Sequence, residues 1–178
     1  MRGRLIRLGL PLLLLAVAGA GAAMGATART HASGTVKSAV SAKFGTILVA
    51  SNGRTLYRYT LDRKNLNRCT SDPTCNKYWP PLLVKAGVKP TAGGSIASRL
   101  LGTMKAAHGM RQVTYAGFPL YLFSGDKAAG QVNGQGFLSQ WYVVNTKGAF
   151  VKHAVAGGGA PAPAPATTSS GGGGYNWG

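Results

Sequence analysis

The chain contains no glutamate, and its three acidic side chains, Asp62, Asp72 and Asp126, stand against 20 lysines and arginines for a net charge of +17. Paired-carboxylate catalysis needs two acids in one site with their pKa values pushed apart. Only Asp62 and Asp126, meeting across a twofold axis, would supply that here. Cysteine is equally scarce, with Cys69 and Cys75 the two copies. Two thiolates do not fill a tetrahedral zinc shell, and once paired they leave no nucleophile. There is no Gly-x-Ser-x-Gly elbow. His31, His108 and His153 lie far apart with no triad spacing. These absences lead us to expect no enzyme and no resident cofactor.

The apolar runs are short, with one exception at the start. Arg2, Arg4 and Arg7 precede an apolar stretch from Leu8 to Ala18, followed by small residues through Ala28. A positive segment, a short apolar core and an Ala-x-Ala site describe a secretory signal peptide over residues 1–28. A membrane-spanning helix is the competing reading. It needs about 20 apolar residues, and this run holds Pro11 and turns Gly/Ala-rich early. No transmembrane span is expected after cleavage, and the chain is expected outside the cytoplasm, secreted or associated with the cell envelope. No cysteine lies near the cleavage site for lipid attachment. In an oxidising compartment an even pair of cysteines is by default a disulfide. A Cys69–Cys75 bridge closes a short loop and contributes about 2 kcal/mol.

Residues 29–43 are small and polar and are expected to be a flexible lead-in. Residues 156–178 alternate Ala-Pro and then run through Thr, Ser and Gly, the composition of a disordered tail. Between them lie strand-length segments. Gly45–Ala50 precedes Asn52-Gly53, a favourable tight-turn dipeptide, and Arg54–Thr60 follows. Arg111–Tyr115, Ala116-Gly117 and Phe118–Ser124 repeat that plan. Trp141–Thr146 and Ala149–Val155 are two more candidate strands, and only Ser95–Leu101 has a helical pattern. The expected fold class is all-β.

Self-similarity carries the strongest signal. Asn52-Gly53-Arg54-Thr55-Leu56-Tyr57-Arg58-Tyr59 through Asp62 aligns without gaps on Ala116-Gly117-Phe118-Pro119-Leu120-Tyr121-Leu122-Phe123 through Asp126. Trp79 and Trp141 follow at nearly equal distances. The repeated Tyr-x-aromatic-x-x-Asp pattern resembles a bacterial family of secreted repeats, often described as predicted lipoproteins. Cys69, Cys75 and Trp79-Pro80-Pro81-Leu82 resemble its first half. Gln112-Val113-Thr114-Tyr115 and Asn133-Gly134-Gln135-Gly136 resemble its second. The resemblance implies no particular activity, and the missing lipobox cysteine keeps lipid anchoring from being carried over. We therefore expect two hairpin-based units packed as one β domain over residues 44–155, repeat one at about 44–85 and repeat two at about 108–147.

Within each unit, Tyr57 and Tyr59, or Tyr121 and Phe123, stand two apart and share a strand face. Cross-strand aromatic pairing would give each unit its own core stripe, with Trp79 and Trp141 as further core. Trp79 before Pro80-Pro81 implies a strand that ends or runs along an edge. Asp62 and Asp126 fall where a strand ends, where a carboxylate accepts turn amides or pairs with arginine; ligand binding is the alternative. The basic segment Arg54, Arg58, Arg63, Lys64, Arg68 and Lys77 is a candidate face for an anionic cell-wall polymer or an envelope protein, and a merely solvated surface is the plainer alternative. Scattered charge and the absence of any recognised module argue against specific nucleic-acid binding. The soft thioethers of Met104 and Met110 with the imidazole of His108 suit copper; two core methionines and a turn histidine are the plainer account.

Overall fold

A computed structural model describes residues 34–155. The signal segment 1–28, His31 and the tail 156–178 lie outside those residues. The elements in order are β1 (Thr35–Ser41), β2 (Gly45–Ala50), β3 (Tyr57–Tyr59), α1 (Pro73–Tyr78), β4 (Leu83–Lys85), β5 (Thr91–Gly93), β6 (Leu101–Lys105), β7 (Met110–Tyr115), β8 (Phe118–Pro119) and β9 (Trp141–Val143). The domain is built of strands, with α1 as its one α-helix among the described residues.

Each repeat is a hairpin whose first strand lies upstream of the expected boundary. In repeat one β1 pairs antiparallel with β2, and in repeat two β6 pairs antiparallel with β7. The expected flexible lead-in is therefore corrected over Thr35–Ser41, and the starts at 44 and 108 each omit a strand. Composition hid β1 because Val36 is its one fully buried side chain, Val40 is exposed and the rest are small or polar. Its order comes from β2 on one side and the parallel strand β5 on the other.

The two turns solve the same problem differently. Ala116 and Gly117 both take positive φ, 52° and 82°, as a two-residue turn with the right-handed twist of its strands requires. At the first turn Ala50 N–H donates to the Arg54 carbonyl at 2.8 Å, so the loop has three residues, Ser51 to Gly53. Only Gly53 is left-handed there, at φ 79°, and the Asn52 side chain accepts from Arg54 N–H.

Further corrections concern local pattern. Ser95–Leu101 forms only a single 3-10 turn at Ser98–Leu100 before β6 begins, since a helical nucleus of a few residues gains too few hydrogen bonds. Ala149–Val155 makes no strand; one bridge, Val144 to Phe150, marks its place. Trp79 sits at the C-cap of α1 rather than on a strand. That helix starts where Asp72 accepts Thr74 N–H and Pro73 takes the first turn, the position at which a missing N–H costs nothing.

The repeats do not simply pack side by side. Each one's closing strand completes the other's hairpin. Trp141–Val143 of repeat two pairs with Tyr57–Tyr59 of repeat one. Leu122 N–H donates to the Pro80 carbonyl and Ser124 N–H to the Tyr78 carbonyl, so the end of repeat one lines the second hairpin. Leu48 N–H to Val144 and Val113 N–H to Leu82, both at 2.8 Å, are the matching inner pair. The core divides accordingly. Leu48, Leu56, Leu82, Val113, Leu120 and Val144 form an aliphatic layer on one side. Ile47, Val49, Tyr57, Trp79, Tyr121 and Trp141 form an aromatic layer on the other.

Candidate functional site

Tyr57 and Tyr121 pair as an antiparallel bridge where the two repeats meet. Tyr57 N–H donates to the Tyr121 carbonyl at 2.9 Å and Tyr121 N–H to the Tyr57 carbonyl at 3.0 Å. Their hydroxyls then cross over. Tyr57 donates to Asp126 Oδ2 and Tyr121 donates to Asp62 Oδ2, each at 2.8 Å. Each aspartate takes its second bond from a turn amide, Arg68 N–H for Asp62 and Asn133 N–H for Asp126. The tyrosine of each motif thus serves the aspartate of the other. A buried carboxylate without donors is costly, so the exchange ties the halves together.

The rings continue the symmetry. Tyr59, Trp141, Trp79 and Phe123 stack in one column with centroid spacings of 4.4, 3.9 and 4.4 Å. Tyr121 meets Trp141 edge-on, and Tyr57 meets Trp79 likewise, at 5.1 and 5.3 Å. Expected as separate stripes, the motif aromatics form one shared stack. Each such contact adds about 0.5–1.5 kcal/mol beyond burial. Cys69 and Cys75 are disulfide-bonded with Cα atoms 5.4 Å apart, and Cys69 packs into this same layer.

Burial raises the Asp62 carboxyl to about 6, against the pull of Arg68 N–H, the Tyr121 hydroxyl and Arg58. Asp126 is also raised, by burial first. Burial and the facing aspartate push both tyrosine hydroxyls well above their ordinary range. Both tyrosines therefore remain protonated donors.

The basic segment is only partly a surface. Arg58 is buried with its guanidinium between the Phe118 and Phe150 rings, 3.5 and 4.3 Å from their centroids, and donates to the Gly148 carbonyl. Burial lowers its pKa to about 10. Arg54 donates to the Phe123 carbonyl at 2.6 Å from a half-buried position. These two arginines are corrected to structural roles, because Arg58 on β3 is buried between rings of repeat two and Arg54, just after the first turn, is spent on the Phe123 carbonyl. Arg63, Lys64, Arg68 and Lys77 are exposed.

Met104 lies opposite Gln112 in the β6–β7 hairpin, and Met110 precedes Gln112 by two, so both methionines occupy one sheet face. His108 is exposed at the tip, at φ 55°. Among the described residues no three histidine, cysteine or acidic side chains gather as a metal centre. Clefts open on the surface of the described residues, among them the following pair. One, of about 180 Å³, is walled by Tyr59, Tyr78, Trp79, Phe137, Leu138 and Trp141. The other, of about 480 Å³, is lined by Lys64, Asn65, Arg99, Thr103, Thr114 and the Gly117 turn. Neither motif aspartate lines either one. Arg99 and Thr114 escaped sequence reasoning, since each is an isolated residue brought to the cleft by the β6–β7 pairing.

A duplicated β domain with exchanged closing strands and one disulfide defines a class of exported two-repeat protein. A family model described as a secreted repeat of unknown function (Lipoprotein_15) matches residues 38–83 and 102–145, and the chain belongs to that family. The two matched segments begin inside β1 and β6, the strands that open each repeat in the structure. No curated protein and no solved structure matches the chain. No helix among the described residues is long and apolar enough to cross a membrane.

Proposed function

We propose that this secreted domain is a non-enzymatic binding module of the cell envelope that holds an anionic cell-wall polymer. One observation carries the reading. Of the three carboxylates in the chain, Asp62 and Asp126 are buried, and Asp72 alone is exposed. The surface cations are thus left almost without intramolecular counter-charge, and such a surface projects a field of several kT toward polyanions.

Sedimentation of the secreted chain with purified wall tests the reading. Binding is expected at low salt and should fall steeply by about 0.5 M, where screening lengths shrink to a few ångströms. Binding indifferent to salt, or no binding at low salt, refutes it. A second reading, copper on the β6–β7 hairpin, is favoured by the shared face of Met104 and Met110. Metal analysis of natively purified protein that finds no copper removes it.

A further inference from the structure

We propose that the cleft beside the Ala116–Gly117 turn is a phosphodiester site, with Lys64 and Arg99 as its cations. This deepens the function proposed above and rests on it for the choice of a polyol-phosphate polymer as the source.

The turn holds the cleft open from both sides. Asn65 N–H donates to the Gly117 carbonyl at 2.8 Å, and Ala116 N–H donates to the Leu100 carbonyl at 2.8 Å. One bond fixes the loop bearing Lys64 and the other fixes the turn bearing Arg99. Glycines let the walls of the cleft approach closely, with the Lys64 stem laid over Gly117. A Cβ on Gly102 would stand 2.9 Å from Thr114 Oγ1, and one on Gly117 would stand 3.2 Å from Lys64 Cγ. No carboxylate lines the cleft. Asp62, two residues before Lys64, is turned inward against Tyr121.

Duplication supplies an internal control. In the other half Gly130 N–H donates to the Gly53 carbonyl at 3.2 Å, the counterpart of Asn65 to Gly117. A Cβ on Gly53 would meet Ala129 Cβ at 2.8 Å, where one on Gly117 meets Lys64. Lys64 therefore stands where repeat two has Ala129. Alanine suffices to close that loop, so the fold does not require the lysine. The cation belongs to the one copy whose cleft also carries Arg99.

The chemistry suits a singly charged diester. Guanidinium offers a planar fork to two non-bridging oxygens, and an ammonium is a movable point charge. The Thr114 hydroxyl adds a neutral donor at the floor. A volume of about 480 Å³ lies within the roughly 300–1,000 Å³ of ordinary ligand sites, so it has room for the polyol on either side of a phosphate.

The test is a titration of the full secreted chain with a synthetic glycerol-phosphate oligomer, followed by amide shifts and calorimetry. Shifts should centre on Lys64, Asn65, Gly102 and Gly117. Lys64→Ala and Arg99→Ala should each weaken binding about tenfold, whereas Arg68→Ala and Lys77→Ala should change it less than twofold. Lys64→Ala reproduces the Ala129 arrangement and should fold normally. Unchanged affinity in both cleft variants, or shifts centred elsewhere, overturns the site. A parallel titration with anionic phospholipid vesicles separates the sources: vesicle binding that depends on Lys64 and Arg99, without oligomer binding, overturns the polymer assignment. Wall sedimentation separates the two proposals. Wild-type binding that survives the double variant rejects the cleft and leaves the module intact. Oligomer bound in the cleft by a chain that ignores the wall supports the site and rejects the module.

Discussion

Removing a single oxygen from Tyr57 or Tyr121 probes the exchanged bonds most directly. Tyr57→Phe deletes the donor to Asp126, and Tyr121→Phe deletes the donor to Asp62. The ring contacts with Trp79 and Trp141 remain available in both variants. A hydrogen bond to a charged partner contributes about 1.5–3 kcal/mol; Asp62 keeps its turn-amide donor, and Asp126 keeps the backbone and side chain of Asn133. Tyr57 also accepts from Gly134 N–H at 3.3 Å and Tyr121 is also bonded by the Gln112 side chain, so the two losses should be similar. We expect about 2–3 kcal/mol for each variant, and nearly twice that for the double. Domains of this size have total stabilities of roughly 5–15 kcal/mol, which leaves the double variant marginal. Urea unfolding of the oxidised protein, with denaturant slopes held equal, measures these costs. The reasoning is refuted if both singles fall within about 0.5 kcal/mol of wild type, the ordinary range for surface substitutions. It is refuted equally if one costs the full amount and the other nothing.

Three further outcomes follow from the same geometry. The folded-state carboxyl of Asp62, at about 6, lies above its unfolded value, so the native state binds more protons between about pH 4 and 6. Stability should therefore fall as pH rises through that window, with Asp62 contributing on the order of 3 kcal/mol at most and Asp126 adding in the same direction, and Asp62→Asn should reduce the fall in thermal melts at pH 4.5 and 7. Gly134→Ala would place a Cβ 2.7 Å from the Trp79 ring and 3.1 Å from Phe123. It should cost about 1–3 kcal/mol and weaken the near-ultraviolet circular dichroism of the ring column. Replacing Cys69 and Cys75 together by alanine should lower stability by about 2 kcal/mol while the far-ultraviolet spectrum is kept.

Sequence revealed what is local. Leu56 beside Tyr57, and Leu120 beside Tyr121, placed an aliphatic and an aromatic residue on opposite strand faces, and these are the faces of the two core layers. The turns at Asn52-Gly53 and Ala116-Gly117 and the disulfide were legible for the same reason, since their partners lie within a few residues. Exchange was not legible. Asp62 and Asp126 each lie five residues after a tyrosine of their own motif, and nothing in the spacing says that the partner is the other copy's tyrosine. Arg58 illustrates the same limit. Its charge suggested solvent, and only the approach of Phe118 and Phe150 from distant segments buries it. Strands β1 and β6 were hidden because their order depends on pairing rather than on their own apolar content. α1 did leave a local signal in Asp72-Pro73, a capping residue followed by a first-turn proline.

The crossing of hydroxyl and carboxylate has a consequence for dissection. Cut between the halves, each fragment would keep an acid in its interior with no tyrosine to meet it, and a hairpin with no closing strand. Buried acid and open hairpin are completed only across the two halves, which therefore make one folding unit.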